Sequence, residues 1–262
     1  DVLEAVDNGN SLIILSDKGV DANNASIPML LGVGAVHHRL IREGKRMKVS
    51  IIAETGEARD MHHIVTLLGY GASVVNPYLG CAVLRDLVKE EHGEEISLET
   101  ALNNYKSTIE KQILKIMSKM GISTIQSYCG AQIFEAIGLN EELVREHFSG
   151  TPSRINGMEI TDIAHESLLR HKGAFNETTE LRYTRETGGH YFWRRRGEFH
   201  QINPLTTNLL QKAARTNSAE IYEEFSSLAN NQTVDMSTPR GLLDFDEKEF
   251  VPLDEVEPAA DI

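Results

Sequence analysis

The sequence predicts an α/β fold, about four short parallel strands followed by a mainly helical C-terminal part. Three observations lead there. SLIIL (residues 11–15) and VSIIA (residues 49–53) are continuous apolar runs bounded by turn residues, the form of strands buried on both faces. Between such runs lie apolar residues at helical spacing, closed by glycines. Residues 111–139, KQILKIMSKMGISTIQSYCGAQIFEAIGL, repeat the pattern in one piece. There, Ile113, Leu114, Met117 and Met120 make a one-sided helix that Gly121 ends, residues 122–126, with β-branched Ile122, Thr124 and Ile125, read as a strand, and Ala131, Ile133, Phe134 and Ile137 form a second helical stripe closed by Gly138. One such unit buries too little surface to stand alone, so its strand needs parallel neighbours.

The elements follow in order. Residues 11–15 are the first strand, and Ser16, Asp17, Lys18 and Gly19 turn the chain out of it. Ser26 is a candidate N-cap, with Pro28 in the first turn of a helix carrying Leu30, Leu31, Val33, Val36, Leu40 and Ile41 up to Gly44. After the second strand and Glu54, Thr55 and Gly56, residues 58–68 place Met61, Ile64, Val65 and Leu68 on one helical face, stopped by Gly69 and Gly71. Residues 73–75 are the third strand; Asn76 and Pro77 break it, and residues 78–89 form the next helix. EEHGEEIS (residues 90–97) is a charged loop or minor boundary near 90–98, with Ser97 and Thr100 starting another helix. Beyond Leu139 the pattern is helical, over residues 140–148, 160–171, 205–214 and 219–228, with no strand between them. Residues 172–204 are a long irregular stretch, of a length expected to be either functional or docked against another part of the protein. Alternating strands and helices fit two architectures, an open doubly wound sheet or part of a (β/α) barrel, and the pattern does not choose.

With 262 residues the chain can bury a large core. A formal net charge of −13 repels phosphate backbones and anionic membranes, which argues against nucleic-acid and membrane-surface functions. No apolar run reaches the length of a membrane span, and the first residues lack the pattern of a secretory signal and look cut from something longer. Two cysteines, Cys81 and Cys129, suit a reducing compartment and read as buried thiols. Acids crowd the tail from Asp235 onward, interrupted by Arg240 and Lys248.

Several groups could carry chemistry. Active sites of parallel α/β folds lie at the carboxyl ends of strands, here Ser16 and Asp17, Glu54 and Thr55, Asn76 and Tyr78, and Gln126 to Tyr128. They offer carboxylates and phenols but no nucleophile beside an oriented base, so they read as helix caps and loop ties. His37–His38 and His62–His63 invite a metal reading. Adjacent helical side chains diverge by about 100°, so neither pair chelates one ion; one ring of each pair should pack inward with its nitrogens bonded and the other face water. Gly32 to Gly34 and Gly69 to Gly71 sit within or after helices, the wrong context for a dinucleotide loop. Gly150 to Arg154 (GTPSR) has a phosphate-binding composition, set against a turn in which Arg154 pairs with a carboxylate. Tyr191 to Arg196 mixes aromatics and cations; in so acidic a chain it should pin the loop, with its arginines paired to acids.

The segment KIMSKMGISTIQSYCGAQIFEAIGL resembles the large subunit of glutamate synthase, as do LIILSDKG, IPMLLGVGAVHHRLI, ETGEARDMHHIVTLLGYGASVVNPYL, GTPSRING and the closing VPLDEVEPA, in the same order over nearly the whole chain. The resemblance implies an incomplete, rudimentary (β/α) TIM-like barrel: a central domain over residues 1–238, then an acidic linker, residues 239–262, leading toward an FMN-binding barrel. It implies a noncatalytic part of an oxidoreductase acting on CH–NH2 groups in nitrogen assimilation, which makes glutamate from glutamine and 2-oxoglutarate. Its partners would be the glutaminase and FMN domains of the same polypeptide, which this part holds in register while walling the ammonia path, and an electron-donating small subunit or ferredoxin. FMN and an iron–sulfur cluster are implied outside residues 1–262, and the setting would be cytoplasmic, or the plastid stroma in a photosynthetic eukaryote. No catalytic, cofactor-binding or metal residue is carried over. The one departure is Cys81 in PYLGC, where a small residue without a thiol is expected. The alternative from another class is a free-standing phosphate- or flavin-binding barrel enzyme.

Overall fold

A computed structural model describes residues 1–91, 96–175, 189, 192–231, 238, 243, 252, 255–256 and 258. It divides into two compact units, residues 1–177 and 178–262.

In the first unit, a short helix the sequence reading did not anticipate, α1 (Val2–Asp7), precedes β1 (Leu12–Ser16), α2 (Met29–Arg42), a 3-10 turn (Arg46–Lys48), β2 (Ser50–Glu54), α3 (Met61–Gly69), β3 (Val74–Asn76) and α4 (Tyr78–Glu91). The strands form one parallel sheet in the order β1-β2-β3, with Ile13 opposite Ile51 and Ala53 opposite Val75. Helix starts follow from side-chain caps. Asp60 accepts from the amides of His62 and His63 to begin α3, and Glu57 accepts from the Met29 amide at 2.7 Å, capping α2 from outside. On one sheet face, Ile13, Ile51 and Ala53 are buried with Val33 and Leu40 of α2 and Ile64 and Leu67 of α3. The opposite face is open: Leu12 is 62% exposed, Ile14 61% and Val74 51%. The runs read as strands buried on both faces are therefore buried on one. Sequential strand order with right-handed crossovers puts α2 and α3 on the same side, and no described element covers the other.

The next helix, α5 (Leu98–Met120), starts on the Ser97 hydroxyl and ends at Gly121, whose φ is 72°. The expected strand at 122–126 is absent. Ile122 donates its amide to Met117 O as part of the α5 cap, and the Thr124 hydroxyl accepts from Ser127 N to start a one-turn helix, α6 (Ile125–Tyr128), so these amides are spent before a ladder can form. The second expected helix also gives way. Gly130 (φ 73°) and Gln132 (φ 55°) turn the chain, and β4 (Ala136–Leu139) pairs in parallel with β5 (Ser153–Met158) across α7 (Glu141–His147). A strand thus lies among the expected helices, followed by α8 (Ile160–Ala174). The described chain holds a three-stranded and a two-stranded parallel sheet and no closed barrel.

The second unit holds α9 (Pro204–Thr216), capped by Asn203 with Pro204 in its first turn, and α10 (Ala219–Asn230), capped by Ser218. Leu209, Ala213 and the Thr206 hydroxyl, which donates to Gln201 O, are buried. Most of the expected linker 239–262, residues 92–95 of the charged loop, and residues 176–188 and 190–191 of the irregular stretch lie outside the described residues.

Candidate functional site

The carboxyl ends of β1, β2 and β3 gather Ser16, Asp17, Glu54, Thr55, Asn76 and Tyr78, as the sequence places them. Asp17, 9% exposed, accepts from the Thr55 hydroxyl at 2.6 Å and from the Gly56 amide at 3.0 Å. Thr55 is fully buried, and its oxygen in turn accepts from Glu57 N. Glu54 accepts from Ser16 Oγ (2.7 Å), Lys18 Nζ (2.6 Å) and Asn76 Nδ2 (3.1 Å). These bonds, that to Lys18 first, hold its carboxyl below the usual range. Lys18 also lies 5.0 Å over the Tyr78 ring. Burial, with Asp17 beside it, pushes the Tyr78 phenol up to about 12, so it stays neutral.

A general base needs a free lone pair facing a substrate, whereas here both carboxylates are occupied by donors from neighbouring strand ends and loops. The arrangement ties three strand ends together. Gln126 to Tyr128, expected at the fourth strand end, do not join it, because they form α6. Tyr128 is instead 1% exposed and packs with Val65 and Met117; burial raises its phenol.

The histidine pairs differ. His37 is buried and its Nδ1 accepts from Arg46 Nε at 2.9 Å; His38 is half-buried, with Nε2 buried and unpartnered among the described residues. His62 and His63 are both exposed, contrary to the expected inward ring, because Asp60 caps α3 there and His63 Nδ1 accepts from Arg59 N at the helix surface. Among the described residues no three His, Cys, Asp or Glu side chains converge where an ion could be held. Cys81 and Cys129 are free and half-buried, less enclosed than expected. Two separate thiols do not match the four that an iron–sulfur cluster takes. Gly32 and Gly34 lie inside α2, and Gly69 ends α3, as read. Arg154 approaches Glu135 at 3.8 Å, both side chains well exposed, while the Thr151 hydroxyl bonds Tyr70 at 2.7 Å, so this turn is occupied by its own contacts. In the second unit Arg194 stacks 4.3 Å from the centre of the Phe192 ring; no ion pair to Arg194, Arg195 or Arg196 is seen among the described residues, and Tyr191 lies outside them.

A family model of the glutamate synthase central domain matches residues 1–140. The chain belongs to the glutamate synthase central domain family. It is 42% identical over 260 residues to a Bacillus subtilis protein named glutamate synthase [NADPH] large chain, covering 99% of this chain and 17% of that one. It is 40% identical over 262 residues to glutamate synthase [NADH] of Schizosaccharomyces pombe, covering 98% and 12%, and 38% identical over 271 residues to ferredoxin-dependent glutamate synthase 2, chloroplastic, of Arabidopsis thaliana, covering 99% and 16%. The chain therefore spans less than a fifth of the length of these relatives. The matched span holds the tied strand ends and both histidine pairs, and leaves out the turn at Gly150 and all of the second unit.

Proposed function

We propose that this chain is a noncatalytic scaffold part of a glutamate synthase, an enzyme that makes glutamate from glutamine and 2-oxoglutarate. It holds the glutaminase and FMN domains in register and walls the path of ammonia between them. The observation that carries this reading is the closed mouth: Asp17 and Glu54 spend their oxygens on Thr55, Gly56, Ser16, Lys18 and Asn76. Family membership supports the wider assignment. The open apolar sheet face, with Leu12, Ile14 and Val74 outward, supports a rudimentary (β/α) barrel whose inner face a neighbouring part of the polypeptide covers. In the same reading residues 1–238 act as the central domain and 239–262 as the linker to the FMN barrel. FMN and the iron–sulfur cluster are held elsewhere in the polypeptide, and electrons come from a small subunit or ferredoxin. No helix among the described residues is long and apolar enough to cross a membrane, and the cytoplasm or plastid stroma is the setting that suits the reading.

The test is Glu54→Gln, alone and with Asp17→Asn, in the glutamate synthase polypeptide. A scaffold predicts lower thermal stability with kcat per folded enzyme changed by less than about tenfold, whereas an acid–base role predicts a loss of about 10²–10⁴.

A further inference from the structure

Away from the mouth, beside the amino end of β3, a cleft of about 300 Å³ is lined by His37 and His38 of α2, Tyr70 after α3, and Gln132, Ser149 and Thr151 from two loops. Arg46 holds one of these histidines from behind the lining, its bonds among the described residues all directed at neutral acceptors: Nε to His37 Nδ1 (2.9 Å), Nη1 to Val49 O (2.7 Å) and Nη2 to Gly71 O (2.8 Å). A guanidinium only donates, so His37 Nδ1 is bare and the ring proton sits on Nε2. Burial first, then Arg46, lowers the pKa of His37 to about 4, and the ring is a neutral N–H donor near neutral pH. No partner to that donor is seen among the described residues; the atom reaches solvent, whereas His38 Nε2 beside it is buried and unpartnered. Room for the ring is made by Gly71, at φ 119°, where a Cβ would strike the imidazole.

A second donor stands at the rim. Gln132 holds a left-handed backbone, φ 55°, which a residue other than glycine occupies only at a cost. Its amide lies against Gly150, where a Cβ would collide with it, and makes no hydrogen bond among the described residues. The local charge is positive in an otherwise acidic chain: Arg42 and Arg46 both lie close enough to lower the histidines, and the hydrogen bonds of both guanidiniums go to backbone carbonyls or to His37. Phe134 and Ile41 give the cleft an apolar wall.

We infer that this cleft binds a small organic carboxylate, one oxygen accepting from His37 Nε2 and the other from the Gln132 amide, with the carbon skeleton against Phe134 and Ile41. Neutral donors in a positive field favour an anion without burying a permanent cation, and the apolar wall favours a carbon-bearing anion over an inorganic one. The site is independent of the scaffold reading, because it uses neither Asp17 nor Glu54.

The experiment is a titration of the full 262-residue chain with succinate, followed by the ring-nitrogen resonances of its histidines. The expected result is a saturable shift at His37 Nε2 while Nδ1 keeps the signature of an unprotonated nitrogen. Gln132→Gly should weaken binding about tenfold, the share of one hydrogen bond to a charged group, without lowering the melting temperature, because glycine accepts the left-handed backbone. A linear, non-saturating shift, an equal response to sodium chloride at matched ionic strength, a response to sulfate as strong as to succinate, or unchanged affinity in Gln132→Gly would each overturn the proposal.

Discussion

Gly121 stops α5 at φ 72° and has no other atoms within 4 Å of where a Cβ would stand. A side chain there meets only the backbone penalty of the left-handed region. Gly121→Val should therefore destabilise by about 1–2 kcal/mol in urea denaturation, with no change in the packing of its neighbours. Its role was legible because an apolar helical stripe ended at a glycine and β-branched residues followed. His37 was legible only in part. The sequence offered a histidine pair on a helix, but the fixed tautomer depends on Arg46 folding back from the turn after α2, and spacing does not reveal such a contact. The contact has a consequence for pH. An unfolded histidine titrates near 6.5, whereas burial lowers His37 in the fold to about 4, so between these values the unfolded chain takes up a proton that the folded chain refuses. Stability is full above 6.5, falls as the pH drops toward 4 and levels off below it, with His37 contributing at most about 3 kcal/mol. His38, also lowered by burial, acts in the same direction. Urea midpoints measured across this window for the parent chain and for His37→Asn should converge at the acidic end.

At the scale of elements, the early strands and helices were readable because each is decided locally, by a run of β-branched residues or a capped apolar stripe. The segment after Gly121 was not. Ile122 to Ile125 have strand composition, yet Ile122 N is taken by the α5 cap and the Thr124 hydroxyl starts a helix. Likewise Ala131, Ile133, Phe134 and Ile137 have helical spacing, yet the left-handed Gly130 and Gln132 prevent a helix and β5, some fifteen residues on, supplies the partner for β4. Local capping bonds overrode strand propensity in the first case, and pairing with a later segment overrode helical spacing in the second. The β4–β5 pair carries its own test. A Cβ at Gly157 would run into the backbone of Gly138, itself at φ 76°, where the ladder is irregular. Gly157→Ala should cost about 1–3 kcal/mol, more than Gly121→Ala, because backbone atoms cannot swing away as a flexible side chain can. Equal costs for the two would place the strain in the turn and not in the strand approach.

For the molecule as a whole, the sheet is one-sided. Ile51 is fully buried and Ile14 is 61% exposed, although the two are similar in sequence context. Ile51→Ala should cost about 2–5 kcal/mol, while Ile14→Lys should change the stability of this chain by no more than about 0.5 kcal/mol. In the glutamate synthase polypeptide, Ile14→Lys should be costly if a neighbouring domain covers that face, and comparing the two settings by thermal unfolding separates a covered face from a bare one. On the scaffold reading, these residues organise an enzyme without performing its chemistry. That reading is tested most directly by measuring ammonia release from glutamine and visible flavin absorption on the purified 262-residue chain supplied with FMN. A scaffold should release no ammonia above the uncatalysed background and be colourless after unbound FMN is removed. Retained flavin absorption, or glutamine hydrolysis that tracks the protein concentration, would contradict it.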